Sequence, residues 1–206
     1  MLKRALLGGI AALSLTLATA EGRAQELTMG VGAQVTSMDP HYHNLTPNSA
    51  VAGMVFGTLV ATDANVRPQP GLALSWRPVD DTTWEFKLRP GVKFHTTDYF
   101  TPTRDLNADD VIFTIRRQLD PNHPYHKVSG GTYEYFTASG LPALIKSIEK
   151  TDDLTVQFTL NNPDATFAPL LSQDFASVMS AEYAEKMMEA GTPEKVDLEP
   201  VGTGPF

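Results

Sequence analysis

Thr82-Thr83-Trp84-Glu85-Phe86-Lys87-Leu88-Arg89-Pro90-Gly91-Val92-Lys93-Phe94-His95 carries the plainest structural signal in the chain. Trp84, Phe86 and Leu88 alternate with Glu85, Lys87 and Arg89, a period of two that puts one set on each face of a half-buried strand. Pro90-Gly91 turns the chain, and Val92 to His95 is expected to pair back as the second strand of a hairpin. A similar pattern lies downstream. Ile145 to Lys150 and Leu154 to Leu160 alternate on either side of Thr151-Asp152-Asp153, which predicts another hairpin. Upstream, the proline-punctuated stretch Pro68 to Pro78 reads as extended chain on the surface, and Leu27 to Gly32 suits a strand.

Helical periodicity fills the gaps. Pro47 suits a first turn, and Val51, Met54, Val55, Thr58 and Leu59 recur at three- and four-residue spacing, predicting a helix from Pro47 to Thr62. Gly53 and Gly57, four apart, would allow a close backbone approach on its face. A second helix starts at Asn107 as N-cap, with Asp109 and Asp110 in the first turn, where free amides favour negative charge. Val111, Ile112, Ile115 and Leu119 form its buried stripe, and Arg116 and Arg117 complement the dipole at its far end. Asp109 and Asp110 diverge by about 100° around the helix, which rules them out as a catalytic pair facing one substrate. Gly140 to Ile145 begins a short helix or turn, and Thr166 to Leu171 gives one or two turns more. Ser180 caps a helix that ends near Ala190, with Gly191 and Pro193 as stop signals. Between helices, Tyr125 to Phe136 packs three tyrosines, a phenylalanine and two adjacent glycines into one shaped loop, with Tyr133, Tyr135 and Phe136 expected to anchor it, the alternative being that they stack on a ligand.

Composition narrows the function. The net charge of −8 over 206 residues argues against nucleic acid, whose polyanionic backbone needs basic stripes. The absence of cysteine removes disulfides, thiolate chemistry, Cys-ligated zinc and a lipid-anchoring cysteine together. Lys3 and Arg4, the apolar run Ala5 to Leu17 and Ala18-Thr19-Ala20 read as a secretory signal peptide over 1–20, cut before Glu21 or alternatively before Gln25. No later stretch is apolar and long enough to span a bilayer, so the mature chain is expected to be exported and not membrane-spanning.

Several motifs carry a family resemblance. Gly71-Leu72-Ala73 to Trp76, followed by Trp84-x-Phe86-x-Leu88-Arg89-x-Gly91-Val92-x-Phe94-His95, is similar to the signature of the family 5 extracytoplasmic solute-binding proteins, which include dipeptide, oligopeptide and nickel receptors. Asn107 to Val111, Pro124 to Gly131, Asp174 to Ser177 and Met187 to Lys195 resemble its dipeptide-binding members. The resemblance implies an α/β fold of the periplasmic binding protein type, class II, two-lobed with an extra subdomain. Residues 21–45 would begin lobe one, 46–165 would form the inserted subdomain, and 166–206 would return to lobe one. The second lobe would follow Phe206, the chain being the N-terminal part of the receptor. The implied function is capture of dipeptides or short peptides for an inner-membrane ABC permease, by a monomer with no cofactor and no catalytic role. The alternative is a nickel or haem carrier on the same scaffold. An exported hydrolase is the third reading, but no Gly-x-Ser-x-Gly, His-Glu-x-x-His or Cys/His arrangement is present.

Candidate ligand contacts fall in the loop from His41 to Asn48. Asn44, Thr46 and Asn48 could hydrogen-bond a peptide backbone, or equally cap the following helix. His41-x-His43 and His123-x-x-His126 have spacings that could ligate a metal, although no cysteine or carboxylate completes either set locally. His95 is expected to be a hydrogen-bonded structural residue.

Overall fold

The structure is a computed structural model that describes residues 28, 30–42 and 45–206. The expected leader and both cut sites lie outside the described residues, as do Leu27 and Met29 of the expected first strand. Thr28 and residues 30–32 form no strand.

The strands are β1 Val60–Thr62, β2 Pro68–Pro70, β3 Ala73–Pro78, β4 Thr83–Leu88, β5 Ile145–Asp152 and β6 Thr155–Leu160. The last four make an antiparallel sheet of order β3-β4-β6-β5, which is the frame of the fold. Strand β4 is the alternating stretch read from the sequence, and it is central. On one edge it pairs with β6, where Trp84 stands opposite Phe158 and Phe86 opposite Val156. On its other edge it pairs with β3, where Phe86 stands opposite Trp76. Phe86, Phe158 and Phe167 meet edge to face, with centroids 5.1–6.3 Å apart, and all three are fully buried. Such edge-to-face contacts suit the ring quadrupoles.

With both edges of β4 taken, Val92 to His95 cannot pair with it, and the expected hairpin is not formed. Those residues run irregularly instead, Val92 O accepting from Leu106 N at 2.9 Å and His95 N donating to Gly202 O at 2.9 Å. The partner of β4 comes from the proline-rich stretch upstream, which is more than extended surface chain. Its first residues form β2, paired with β1, and its last six form β3. Proline is tolerated there because β3 is an edge strand, with Pro78 at its end. The β5–β6 hairpin forms as expected, its turn closed by Leu154 N on the Asp152 carboxylate at 2.9 Å.

Helix α1 spans Thr46–Val55 and stops well before the predicted end at Thr62. Phe56 is already extended (φ −112°, ψ 146°), and β-branched Val60 and Thr62 belong to β1. Gly57 therefore lies beyond the helix, and an added Cβ at Gly53 would meet open space, so the expected close approach is not on that face. The close approach occurs at the helix end. Gly204 N donates to Val55 O at 2.8 Å, and a Cβ on Gly202 would stand 1.9 Å from that oxygen.

Helix α2 (Ala108–Leu119) has the expected Asn107 cap, with Asp110 accepting from Asn107 N at 2.9 Å to complete a capping box. Asp110 is fully buried, held by Arg104 at 2.6 and 2.8 Å, and it accepts from Ala181 N at 2.8 Å. The short helices α3 (Glu134–Ala138), α4 (Leu141–Leu144) and α5 (Phe167–Leu170) follow in the chain. Helix α3 takes up the end of the aromatic loop, where Tyr133 and Phe136 are buried anchors and Tyr135 is exposed. Helix α6 (Ala181–Glu189) is capped by Ser180 and followed by Gly191 at φ 71°, as predicted, and the Asp110 bond ties it to the start of α2. A last short helix, α7, spans Lys195–Leu198.

The two glycine environments predict opposite responses. Gly53→Ala should stabilise the fold by about 0.5–1 kcal/mol, the helix-interior cost of glycine. Gly202→Ala should cost about 1–3 kcal/mol through overpacking. Urea unfolding of both variants checks this, and equal midpoints would contradict it.

Candidate functional site

The turn at Ser37 to His41 is firmly anchored. Ser37, Asp39 and His41 are all buried. Asp39 Oδ2 accepts from Arg117 Nη2 at 2.7 Å and from Ser129 Oγ at 2.6 Å, while Oδ1 accepts from His41 N at 2.9 Å. Arg117 stands in the last turn of α2, but complementing the helix dipole is not its main role. Its side chain is wholly buried, with Tyr133 under the guanidinium at 5.6 Å. Arg116, its neighbour, is exposed and reaches Ile148 O at 3.2 Å.

A second clamp comes from α7. Asp197 Oδ1 accepts from Ser37 Oγ at 2.5 Å, Met38 N at 2.8 Å and Asp39 N at 2.9 Å. His41, a candidate ligand by its spacing, is buried between Ser177 and Arg117. Its Nε2 lies 2.7 Å from Ser177 O, so Nε2 carries the proton and Nδ1 is left to accept from Arg117 Nη1 at 3.4 Å.

Electrostatics follow from this packing. Burial alone would raise the Asp39 pKa, but Arg117, His41 and two hydrogen bonds outweigh it and hold the group at about 2. Burial and then Arg117 push His41 down to about 4, against the opposing pull of Asp39. His41 is therefore neutral in the folded protein at pH 7, consistent with its hydrogen bonds.

The clamped turn fixes an exposed strip ahead of it. Thr36 N donates to Asn48 Oδ1 at 3.0 Å, and Asn48 Nδ2 donates back to Thr36 Oγ1 at 3.2 Å. Asn48 is thus a buried brace within α1. Thr46 is exposed at the first turn of α1, and neither residue caps the helix, whose N-cap is Leu45 with no side-chain bond. Asn44 and His43 lie outside the described residues. Val31 to Gln34 are exposed, and the backbone of residues 31–35 has no hydrogen-bond partner among the described residues. Beside this strip is a hollow of about 320 Å³ lined by Val31, Gly32, Ala33, Thr46, Pro47 and Ala50. Unpaired backbone next to an apolar hollow can take an extended peptide and one of its side chains.

The other described histidines are engaged with backbone. His126 Nδ1 donates to Arg117 O at 2.8 Å, His123 Nδ1 accepts from Tyr125 N at 3.2 Å, and His95 Nε2 bonds Gly204 O at 2.8 Å, the structural role expected of it. Among the described residues no group of three or more His, Cys, Asp or Glu stands together to hold a metal. Sequence reasoning missed Arg117 as a partner of Asp39. The available signal was its place three residues after Thr114 and seven after Asp110, a stripe that is buried in the structure.

The sign of the pH dependence is fixed by these shifts. The unfolded chain binds a proton at His41 near pH 6.5 and the folded chain only near pH 4, so stability falls as pH drops through that window. The full effect is about 3 kcal/mol. Asp39 contributes stability above its unfolded value of 3.8, and that is lost as pH falls through about 2. His41→Gln should flatten the decline between pH 6.5 and 4 while leaving the lower one. Urea unfolding at about pH 7, 5.5 and 4.5 reads this directly, and an unchanged slope would contradict it.

Comparison with known proteins places the chain. Residues 67–206 match the bacterial extracellular solute-binding proteins, family 5 middle region. Heme-binding protein A of Haemophilus influenzae is 61% identical over 67% of this chain and 25% of its own length. The dipeptide-binding protein of Escherichia coli is 58% identical over 66% of this chain and 26% of its own. The dipeptide-binding protein of Pseudoalteromonas sp. SM9913, solved in complex with Met-Leu, superposes with a TM-score of 0.80 at 38% identity, covering 84% of this chain and 35% of that one. The chain thus spans about a quarter of the length of the two curated relatives. Its mixed helices and sheets are part of the α/β solute-binding fold expected from the sequence. It belongs to the bacterial extracellular solute-binding proteins of family 5.

Proposed function

We propose that this chain serves in a periplasmic receptor that captures dipeptides or short peptides and delivers them to an ABC importer in the inner membrane. The observation that supports the reading is the exposed strip at residues 31–35, whose backbone has no partner among the described residues, which runs beside an apolar hollow and leads into the turn held by the buried Asp39 cluster. An extended peptide would add its own backbone along the strip, with Thr46 at the rim of the hollow. Asn48 would act by bracing Thr36 rather than by touching the peptide, and Asn44 remains a candidate contact. In this reading residues 21–45 begin lobe one, 46–165 form an inserted subdomain and 166–206 return to lobe one. The receptor works as a monomer, binds without making or breaking bonds, and is exported by its N-terminal leader. Closure of a second lobe over the strip would exclude water from the peptide's polar groups.

Haem is the second reading, favoured by the 61% identity to a protein named for binding it. His41 is ill placed to ligate it, because both ring nitrogens face partners inside the protein.

Thermal melts separate the two, using the chain carried in a receptor of its relatives' length. A ligand at about one hundred times its dissociation constant stabilises the folded state by about 2.7 kcal/mol. Dipeptides should raise the melting temperature and haem should not. A rise with haem and with no peptide would overturn the proposal.

A further inference from the structure

A groove of about 450 Å³ that shares no lining residue with the hollow at residues 31–33 lies between α6, the middle of α2 and the segment His123 to Tyr125. One wall is aromatic. Phe113 of α2 meets His123 and Tyr125 edge to face, at 5.4 and 5.3 Å. The other wall is a single face of α6, where Ala181, Glu185, Met188 and Glu189 recur at helical spacing. Glu185 and Glu189 are exposed, and neither pairs with a cation among the described residues. Two like charges four residues apart on a helix repel one another, so the pair costs the isolated helix stability. The nearest cation on α6, Lys186, is turned away, with its ammonium 5.3 Å from the Phe100 ring. Burial and then Arg117 lower the pKa of His123, which disfavours a positive charge on it.

We propose that this groove docks a basic, amphipathic segment of a partner protein, one that sets an arginine or lysine between Glu185 and Glu189 and an apolar residue against Phe113 and Met188. Charge complementarity selects that occupant. A second copy of a chain with net charge −8 would bring more negative charge to an acidic rim, and an anionic membrane surface would be repelled likewise. Aromatic rings beside two carboxylates suit a guanidinium or ammonium, which gains from the ring faces as well as from the charges. Resting on the receptor reading above, the partner is the extracytoplasmic face of the importer. The groove does not include the strip at residues 31–35, so docking and peptide capture can proceed together.

The test uses the chain in a receptor of its relatives' length and a fluorescent peptide, acetyl-Leu-Arg-Leu-Arg-amide, whose blocked termini distinguish it from a free dipeptide. Anisotropy should show saturable binding that weakens at least about tenfold in the Glu185→Lys/Glu189→Lys variant and at high salt. The matching acidic peptide, acetyl-Leu-Glu-Leu-Glu-amide, should not bind. The melting shift caused by dipeptides should be the same in wild type and variant, which also shows that the variant is folded. No binding of the basic peptide, or binding indifferent to the two substitutions, would overturn the docking proposal. So would a change in oligomeric state on substitution, since the occupant would then be a second copy. Loss of the dipeptide shift in wild type with basic-peptide binding intact would sink the receptor reading and leave the groove's chemistry standing.

Discussion

The ion pair between Asp39 and Arg117, 2.7 Å long and wholly buried, is the constraint on which the candidate site depends. Taking two charges out of water costs several kcal/mol per ion, and attraction repays it only when the remaining polar groups are also satisfied. Here Asp39 receives Ser129 and the His41 amide as well as Arg117. Arg117 adds Met179 and the ring of Tyr133, although its Nε has no partner among the described residues. The pair therefore joins three pieces of chain distant in sequence: the turn at Ser37 to His41, the end of α2, and the loop before α3. Removing one partner would strand the other charge, a loss of about 3–5 kcal/mol.

The sheet makes that pair possible. Strand β4 fixes the register of β3 and β6, β6 carries β5 by a tight turn, and α2 packs on β5 and β6, with Val111 and Ile115 buried. Asp110 and Arg104 set where α2 begins, and the length of the helix then decides where it delivers Arg117. The Asp197 clamp from α7 adds a second hold on the same turn. Under the proposed reading, rigid support and a backbone left unpaired among the described residues suit a strip that binds a peptide, because ordering it in advance reduces what binding must supply.

Elements with local rules were legible in the sequence. The alternation in β4, β5 and β6, the Asn107 and Ser180 caps and the Gly191 stop each rest on contacts within a few residues, and each stands as expected. Features decided by distant partners were not. Val92 to His95 has strand-like residues, but β3 and β6 take both edges of β4. The end of α1 is set by β1 pairing with β2, which overrides the apolar periodicity through Leu59. The candidate site was legible only in part. Asn48 and Thr46 read as polar residues of one loop, yet nothing local says that Asn48 turns inward to Thr36 or that His41 is buried. Arg117 reads as an ordinary basic residue at a helix end, because its partner lies 78 positions away.

In the proposed receptor the exposed strip hangs from a buried charge cluster. Amide hydrogen exchange on the Arg117→Met variant tests that dependence most directly. Protection should be lost selectively at the Met38, Asp39 and His41 amides, all bonded to carboxylates in the native chain, while the amides of β4 and β6 remain protected. Unchanged protection at those three amides would contradict the dependence, and would mean that the Asp197 clamp holds the strip without the ion pair.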